Sequence, residues 1–460
     1  MKDGKINVHY VTRVEGHGNI VVDLKDKAIK ELRWEIPEAP RFFEAMVRGR
    51  SYADAPHITS RICGICSIGH TIASLQGVEA ALGVQPSEQT VLLRKLILHA
   101  ETVQSHTLHV FYLAAPDFLG VNSVIPLATT HKEPLLQAIR LHRLANEWSD
   151  LIGGRTTHPI NLVVNGWTRL PTQDELRALR QRLTEAIPDL EAWVKIFKTL
   201  DIPDFERETE YLALQRDDEY AFYNGSIAST DGGTTPVPQY REKITEFVVP
   251  YSTAKHTKAA RESFMVGALA RFNNNYEHLS PLARWAAEEM GLRPVCYNPF
   301  MNNTAQLVEV AHCLEDGVRI INELLAMGIK EEDRSVQIKG GTGPSTAPFD
   351  LAQDKLRTGV GATEVPRGLL IHEYTVDDNG TITGANFIIP TNMNHNNIER
   401  DLKALVPTIV DKSQEEITLN LEMLVRAYDP CISCSAHLLN VEFVSGVSPS
   451  AALRTGPAEP

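Results

Sequence analysis

Four of the six cysteines in this 460-residue chain fall into two Cys-x-x-Cys pairs, Cys63/Cys66 and Cys431/Cys434, with 364 residues between the pairs. No other feature constrains the fold as much. A zinc ribbon closes its two pairs over about 15–20 residues and needs only local structure. Here the pairs form either two separate sites or one site that the whole chain must fold to close. Closing so long a loop is not prohibitive, because the entropy cost grows by roughly 0.6 kcal/mol per doubling of length. Spacing alone leaves open two thioredoxin-like motifs, although neither pair follows a strand in a βαβ unit. It also leaves open two half zinc sites, completed by His70 and His437.

Charge narrows the choice. Four thiolates buried together require metal. One divalent ion leaves two charges uncompensated, and two ions cancel them. Soft sulfur ligands suit zinc, copper(I), iron–sulfur clusters and thiolate-bound nickel or iron. Both pairs are expected near helix N-termini, where the dipole favours thiolate over thiol. Cys63 and Cys66 precede helical spacing that begins at Ile68, and Asp429-Pro430 reads as an N-cap and first helical position before Cys431.

A net charge of −13 argues against nucleic acid and against an anionic membrane surface. With 43% hydrophobic and 22% charged residues, the chain has the composition of a globular protein. Its most apolar long segment, 91–115, carries Arg94, Lys95 and Glu101, which excludes direct membrane insertion there. The charged N-terminus lacks a signal-like apolar run, so the expected location is cytoplasmic. Cys296 and Cys313 are isolated and read as small core residues.

Residues 5–36 alternate apolar and polar, as in Ile20-Val21-Val22-Asp23-Leu24, and read as strands. From about 67 the period becomes helical, through Ile68, Ile72, Leu75, Val78 and Leu82. Residues 88–114 are apolar nearly all round and predict a buried central helix. Further helical spacing covers 132–151, 173–199, 256–290 and 301–328. Residues 337–349 read as a loop lacking phosphate-loop order, and 369–390 as a hairpin about Asp378-Asn379-Gly380. Ser413 and Glu416 form a capping-box pattern before Ile417, Leu421, Leu424 and Val425, with Pro430 as the stop. The expected fold class is α+β, mainly helical: a central bundle of long helices with β-rich elements packed at its ends. One domain is expected over 1–437. It has a β-rich part (1–60), a helical bundle (61–336), and a last part (337–437) with the hairpin, the C-terminal helix and the second cysteine pair. Residues 438–460 read as an extension outside the packed body.

The residues around the cysteines resemble the large subunit of nickel–iron hydrogenases. Five ordered motifs carry the likeness over nearly the whole chain: Arg13-Val-Glu-Gly-His17, Arg61-x-Cys-Gly-x-Cys66 with His70, Gly153-Gly-Arg-x-x-His-Pro159, Pro366-Arg-Gly368, and Asp429-Pro-Cys-x-x-Cys-x-x-His437. The resemblance implies Cys63 and Cys431 as terminal nickel ligands. Cys66 and Cys434 would bridge to an iron carrying carbon monoxide and cyanide. Arg367 would lie over the site, with Pro366, Ile389 and Thr391 lining the diatomic pocket and Thr391 donating to a cyanide. Glu44, His437 and the Phe387 carbonyl would hold a second metal, magnesium or iron. One position departs from the family: Ser105 stands where many relatives have aspartate. This leaves the partner of Arg367 open. His99, His106 and His109 share one helical face and read as hydrogen-bonded core histidines.

The implied reaction is reversible heterolytic cleavage of dihydrogen, with the metals as Lewis acid and hydride acceptor. Cys434 or Cys431 would accept the proton and Glu15 would carry it outward. Arg367 would act electrostatically, since a guanidinium resists deprotonation. Two leftover cysteines cannot hold a four-cysteine cluster. The implied partners are an iron–sulfur small subunit, further electron-transfer subunits, nickel chaperones and a maturation protease cutting after His437. Phe111-Tyr-Leu-Ala-Ala-Pro-Asp117 and Ile388-Ile-Pro-Thr-Asn-Met-Asn-His-Asn-Asn397 resemble the cytoplasmic multi-subunit enzymes, first the viologen-reducing, non-deazaflavin-reducing branch and second an NAD(P)-linked branch. A non-catalytic, complex-I-like scaffold is disfavoured, because that lineage lacks the four cysteines.

Overall fold

The alternation at the N-terminus forms a sheet because one face is buried. Strands β1 (Gly4–Val8), β2 (Asn19–Lys25) and β3 (Ala28–Glu35) pair antiparallel in that order. Ile20, Val22 and Leu24 of β2 point inward. The computed structural model describes residues 4–336 and 356–437. The loop expected over 337–349 and the extension expected over 438–460 lie outside the described residues.

The helical spacing resolves into α1 (Ser67–Leu82), α2 (Glu88–Thr107), α3 (Lys132–Gly153) and α4 (Gln173–Phe197). The first two are buried on nearly every side, whereas α3 and α4 bury one stripe. Further along come α5 (Ala268–Asn275) and α6 (Asn302–Met327). Helix α2 packs on α3 and α6, and α4 packs on the same two, which makes a four-helix bundle. The central helix does not run as one α-helix to 114. After Thr107 it widens into a π-helical stretch, Leu108–Ala114.

The helical spacing over 256–290 holds only for α5 and for the helix Pro281–Glu289. His256–Lys258 pairs antiparallel with Thr245–Phe247, and Phe264–Met265 pairs parallel with the strand Glu210–Gln215. Strand pairing wins there, and Gly267, at φ 122°, blocks helical continuation into α5. The 210–265 stretch thus places small sheets within the span 61–336 expected as the helical bundle.

The expected hairpin is part of a three-stranded antiparallel sheet: β4 (Arg357–Val365), β5 (Gly368–Val376) and β6 (Ile382–Ile388). Val365 pairs with Gly368, so Pro366 and Arg367 form the tip of a two-residue hairpin. Helix α1 lies across this sheet. The two meet at backbone distance, since a Cβ at Gly361 would stand 2.5 Å from the Gly77 amide and overlap the Ala73 carbonyl. The chain closes with α7 (Pro390–Ile409) and α8 (Gln414–Ala427). The Ser413–Glu416 capping box is present on α8. A large apolar core runs from Ile6 to Cys434, and a second, smaller one joins Leu212, Phe264, Ile371 and Met393.

Candidate metal centre

The two cysteine pairs arrive from opposite ends of the chain on similar local structures. Cys63 is extended after the 3-10 turn Ser60–Ile62, and Cys66 is the N-cap of α1. Cys431 caps a four-residue helical turn, Ile432–Ser435, which contains Cys434. The turn therefore starts two residues later than Asp429-Pro430 suggests. Asp429 has φ 49°, a left-handed conformation unlike that of an N-cap.

All four sulfurs lie within 4.8 Å of one another. Cys63 and Cys431 Sγ are 3.5 Å apart. Cys431 is 1% exposed and the other three are 3%, so solvent cannot compensate their charge. The separate-site alternatives fall with this geometry. His70 pairs through Nδ1 with His372 Nε2 at 3.1 Å, burial pushes it down to about 4, and it is not among the ligand atoms of the four-sulfur group. Arg41 ties the pairs together. It donates to the Ile62 carbonyl at 2.7 Å and the Ser433 carbonyl at 2.5 Å, each just before a cysteine.

Arg367 projects from the β4–β5 tip, near enough to the cysteines to feel their charge. Its Nε donates to the Asp429 carbonyl at 2.6 Å and its Nη2 to Asp429 Oδ1 at 2.7 Å. Nη1 meets Ser105 Oγ at 3.4 Å. Asp429 therefore supplies the carboxylate that position 105 lacks. Burial opposes the charge on Arg367, but Asp429 and the cysteines hold its guanidinium well above the ordinary range. It is a fixed cation and a poor base. Burial raises the Cys63 thiol, yet hydrogen bonds from Cys431, Cys434 and Cys66 bring it well below its usual value. Burial pushes Cys434 well above it. Such a set keeps some of its protons until cations displace them.

The other expected residues gather close by. Glu15 Oε2 accepts from the Ser433 N–H at 3.1 Å, and its carbonyl accepts from Ile432 at 3.0 Å. Thr391 Oγ1 accepts from the Cys431 N–H at 3.0 Å, which leaves its own hydrogen free to donate. Pro366 offers its carbonyl to Arg271 Nη2 at 3.0 Å. Glu44, Phe387, Ile389, Cys434 and His437 line one cavity of about 10 Å³, room for a single water-sized body. Glu44 Oε1 is 2.7 Å from His437 Nδ1. Among the described residues, neither buried nitrogen of His437 has an aligned hydrogen-bond partner, which is compatible with a metal ligand.

His99, His106 and His109 do not converge. They bond to Asp316, Glu309 and Gln306 at 2.8, 2.7 and 2.6 Å. Cys296 and Cys313 stand apart, and burial raises both thiols. Three residues of the site escape sequence reasoning. Asp429 reads there as a cap and as the first residue of the last motif, without a role toward Arg367. Arg41 gives no signal beyond lying three residues before Glu44. Glu101, an acid inside an apolar helix, is visible but carries no assignment.

The family profile described as nickel-dependent hydrogenase matches residues 41–133 and 204–437. The chain belongs to this family. A HoxL-like profile also matches residues 5–38. This hydrogenase large subunit is 34% identical to the alpha chain of sulfhydrogenase 1 from Pyrococcus furiosus, over 95% of this chain and 98% of that one. It is 31% identical to a chain of the F420-non-reducing hydrogenase from Methanothermobacter thermautotrophicus, over 95% of each, in keeping with the expected branch. Its fold matches a solved NAD+-reducing [NiFe]-hydrogenase with a TM-score of 0.81 and 26% identity, covering 95% of this chain and 100% of that one. The chain is thus a nickel–iron hydrogenase large subunit, and its four-cysteine group is a fitting holder for nickel and iron. Among the described residues, no helix is long and apolar enough to cross a membrane.

Proposed function

We propose that this subunit catalyses reversible heterolytic oxidation of dihydrogen at a nickel–iron pair held by Cys63, Cys66, Cys431 and Cys434. The observation that carries the proposal is four buried sulfurs within 4.8 Å of one another, with the fixed Arg367 guanidinium close enough to feel their charge. When bound, the metals supply the Lewis acidity and electron-accepting capacity that polarise dihydrogen. Cys63 and Cys431 would hold the nickel, and Cys66 and Cys434 would be shared between it and an iron that the family resemblance supplies with carbon monoxide and cyanide. Arg367 compensates the charge of the sulfurs and diatomics, with Pro366 and Ile389 walling the pocket and the Thr391 hydroxyl donating into it. A cysteine of the second pair takes the proton. Glu15, whose carboxylate sits on the Ser433 N–H between Cys431 and Cys434, passes it outward. Glu44, His437 and the Phe387 carbonyl, which line one small cavity, would hold a second ion, magnesium or iron.

Electrons leave through an iron–sulfur small subunit, then through further electron-transfer subunits in the cytoplasm. Maturation by nickel chaperones and a protease leaves a chain ending at His437, so the working domain is 1–437. A second reading, an NAD(P)-linked enzyme, draws on the fold match to an NAD+-reducing [NiFe]-hydrogenase. The deciding experiment is dihydrogen-dependent viologen reduction by the co-purified complex, with elemental analysis of the same sample. Nickel and iron with activity are expected. Zinc alone, or an inactive complex that is fully metallated and reduced, overturns the reading. An acceptor comparison then separates the branches: direct NAD(P)+ reduction favours the second.

A further inference from the structure

Helix α1 begins at the metal centre, and its first turn lacks an ordinary cap. Cys66 occupies the N-cap position, and its side chain makes no capping hydrogen bond. An N-cap side chain usually accepts from the N–H of the second or third helical residue, here Ile68 or Gly69. A sulfur committed to the four-cysteine cluster cannot serve them, and buried N–H groups without partners are costly.

Both N–H groups are satisfied by one residue of another helix. Glu101 of α2 accepts from Ile68 through Oε1 at 2.7 Å and from Gly69 through Oε2 at 3.0 Å. Its side chain is fully buried, and among the described residues it forms no ion pair. A buried carboxyl with no cationic partner has to be held by hydrogen bonds. Here its two oxygens meet the two amides that a cap would serve. The dipole at the start of a 16-residue helix favours negative charge at the same place. The approach also depends on Gly69, where an added Cβ would stand 3.0 Å from Glu101 Oε2 and overlap Val365. One turn further along α2, Ser105 meets Arg367, so the same helix face touches the centre twice.

We propose that Glu101 is a positioning residue for the metal centre: it caps α1 from outside the helix and leaves Cys66 free to bind metal. This rests on Cys66 being a ligand of the nickel–iron pair. Glu101→Gln tests it with little change of size. The amide offers one acceptor and turns a donor toward the second N–H, whichever way it flips. In the co-purified complex, hydrogen–deuterium exchange is followed in peptides covering Ile68 and Gly69, and nickel per chain is measured by elemental analysis. Exchange at those amides is expected to speed up about tenfold, the scale of a lost cap. Nickel content falls below that of the parent, and the rest of α2 keeps its protection. Glu101→Ala removes both acceptors and moves both readouts further the same way.

Unchanged protection at Ile68 and Gly69 overturns the proposal. So does lost protection with nickel at the parental level, which leaves capping without consequence for the metal. Exchange rising along all of α2 with a lowered melting temperature marks a general packing role and overturns it too. A parent complex without nickel sinks the metal assignment instead, and the exchange data still report on the cap.

Discussion

Lysine at position 367 would carry the same charge as arginine but could not make the same contacts. The guanidinium uses three separate nitrogens on the Asp429 carbonyl, the Asp429 carboxylate and Ser105 Oγ. An ammonium is a point donor on a flexible stem and cannot span all three. Arg367→Lys is therefore expected to keep the metals and lower viologen reduction by at least about tenfold, the scale of one lost electrostatic contact in a dry site. Unchanged turnover at normal metal content would mean that charge alone suffices. Glu15→Gln separates proton transfer from assembly. Its amide oxygen still accepts from Ser433, so nickel and iron should remain, whereas turnover falls by about 10² or more because no proton can be taken up. Wild-type turnover in that variant would move the relay elsewhere. The gathering of these side chains at the centre was readable, because the motifs name them. The partner of Arg367 was not, because Asp429 acts through a left-handed backbone that places its carbonyl and carboxylate together.

Elements were legible where one face alone is buried. The strands of the N-terminal sheet and the capping box of α8 follow that rule. Two elements next to the centre break it. Strand β4 carries Gly359 and Gly361 where a strand normally shows branched side chains, because α1 presses on it backbone to backbone. Helix α7 begins with a polar run, yet Asn392, Asn394, His395, Asn396 and Asn397 are all buried. Each asparagine there donates its amide to a fixed acceptor: Asn392 to Ser435 at 3.0 Å, Asn394 to Val266 at 3.2 Å, Asn396 to Thr257 at 3.2 Å and Asn397 to the Tyr428 hydroxyl at 2.7 Å. Polarity conceals burial when the side-chain amides find fixed acceptors. Gly361→Ala tests the close approach. It should cost about 1–3 kcal/mol through overpacking, read as a lower urea midpoint with an unchanged slope. A neutral result would show that α1 can lift from the sheet.

At the scale of the molecule, burial makes the fold sensitive to acid. His256 and His312 are pushed from 6.5 to about 4, in each case first by burial. Their folded values lie below their unfolded ones, so the unfolded chain binds more protons below pH 6.5. The stability they lend is complete above pH 6.5 and is lost as pH falls toward 4. Each contributes on the order of 3 kcal/mol across that window. The melting temperature should fall between pH 6.5 and 4, and His312→Gln should flatten part of that fall. A flat profile would contradict the assignment.

The short bridges that pair Glu15 with Cys431 and Arg41 with His437 carry a consequence of another kind. The segment 431–437 lies against residues made hundreds of codons earlier. During synthesis the first cysteine pair leaves the ribosome long before the second, so for most of that time a half-built pocket waits with two thiols and no lid. The enzyme cannot be loaded progressively as it emerges. Metal delivery has to be timed to the last stretch of translation or follow it, because a chain that stops before Cys431 lacks two of the four thiols.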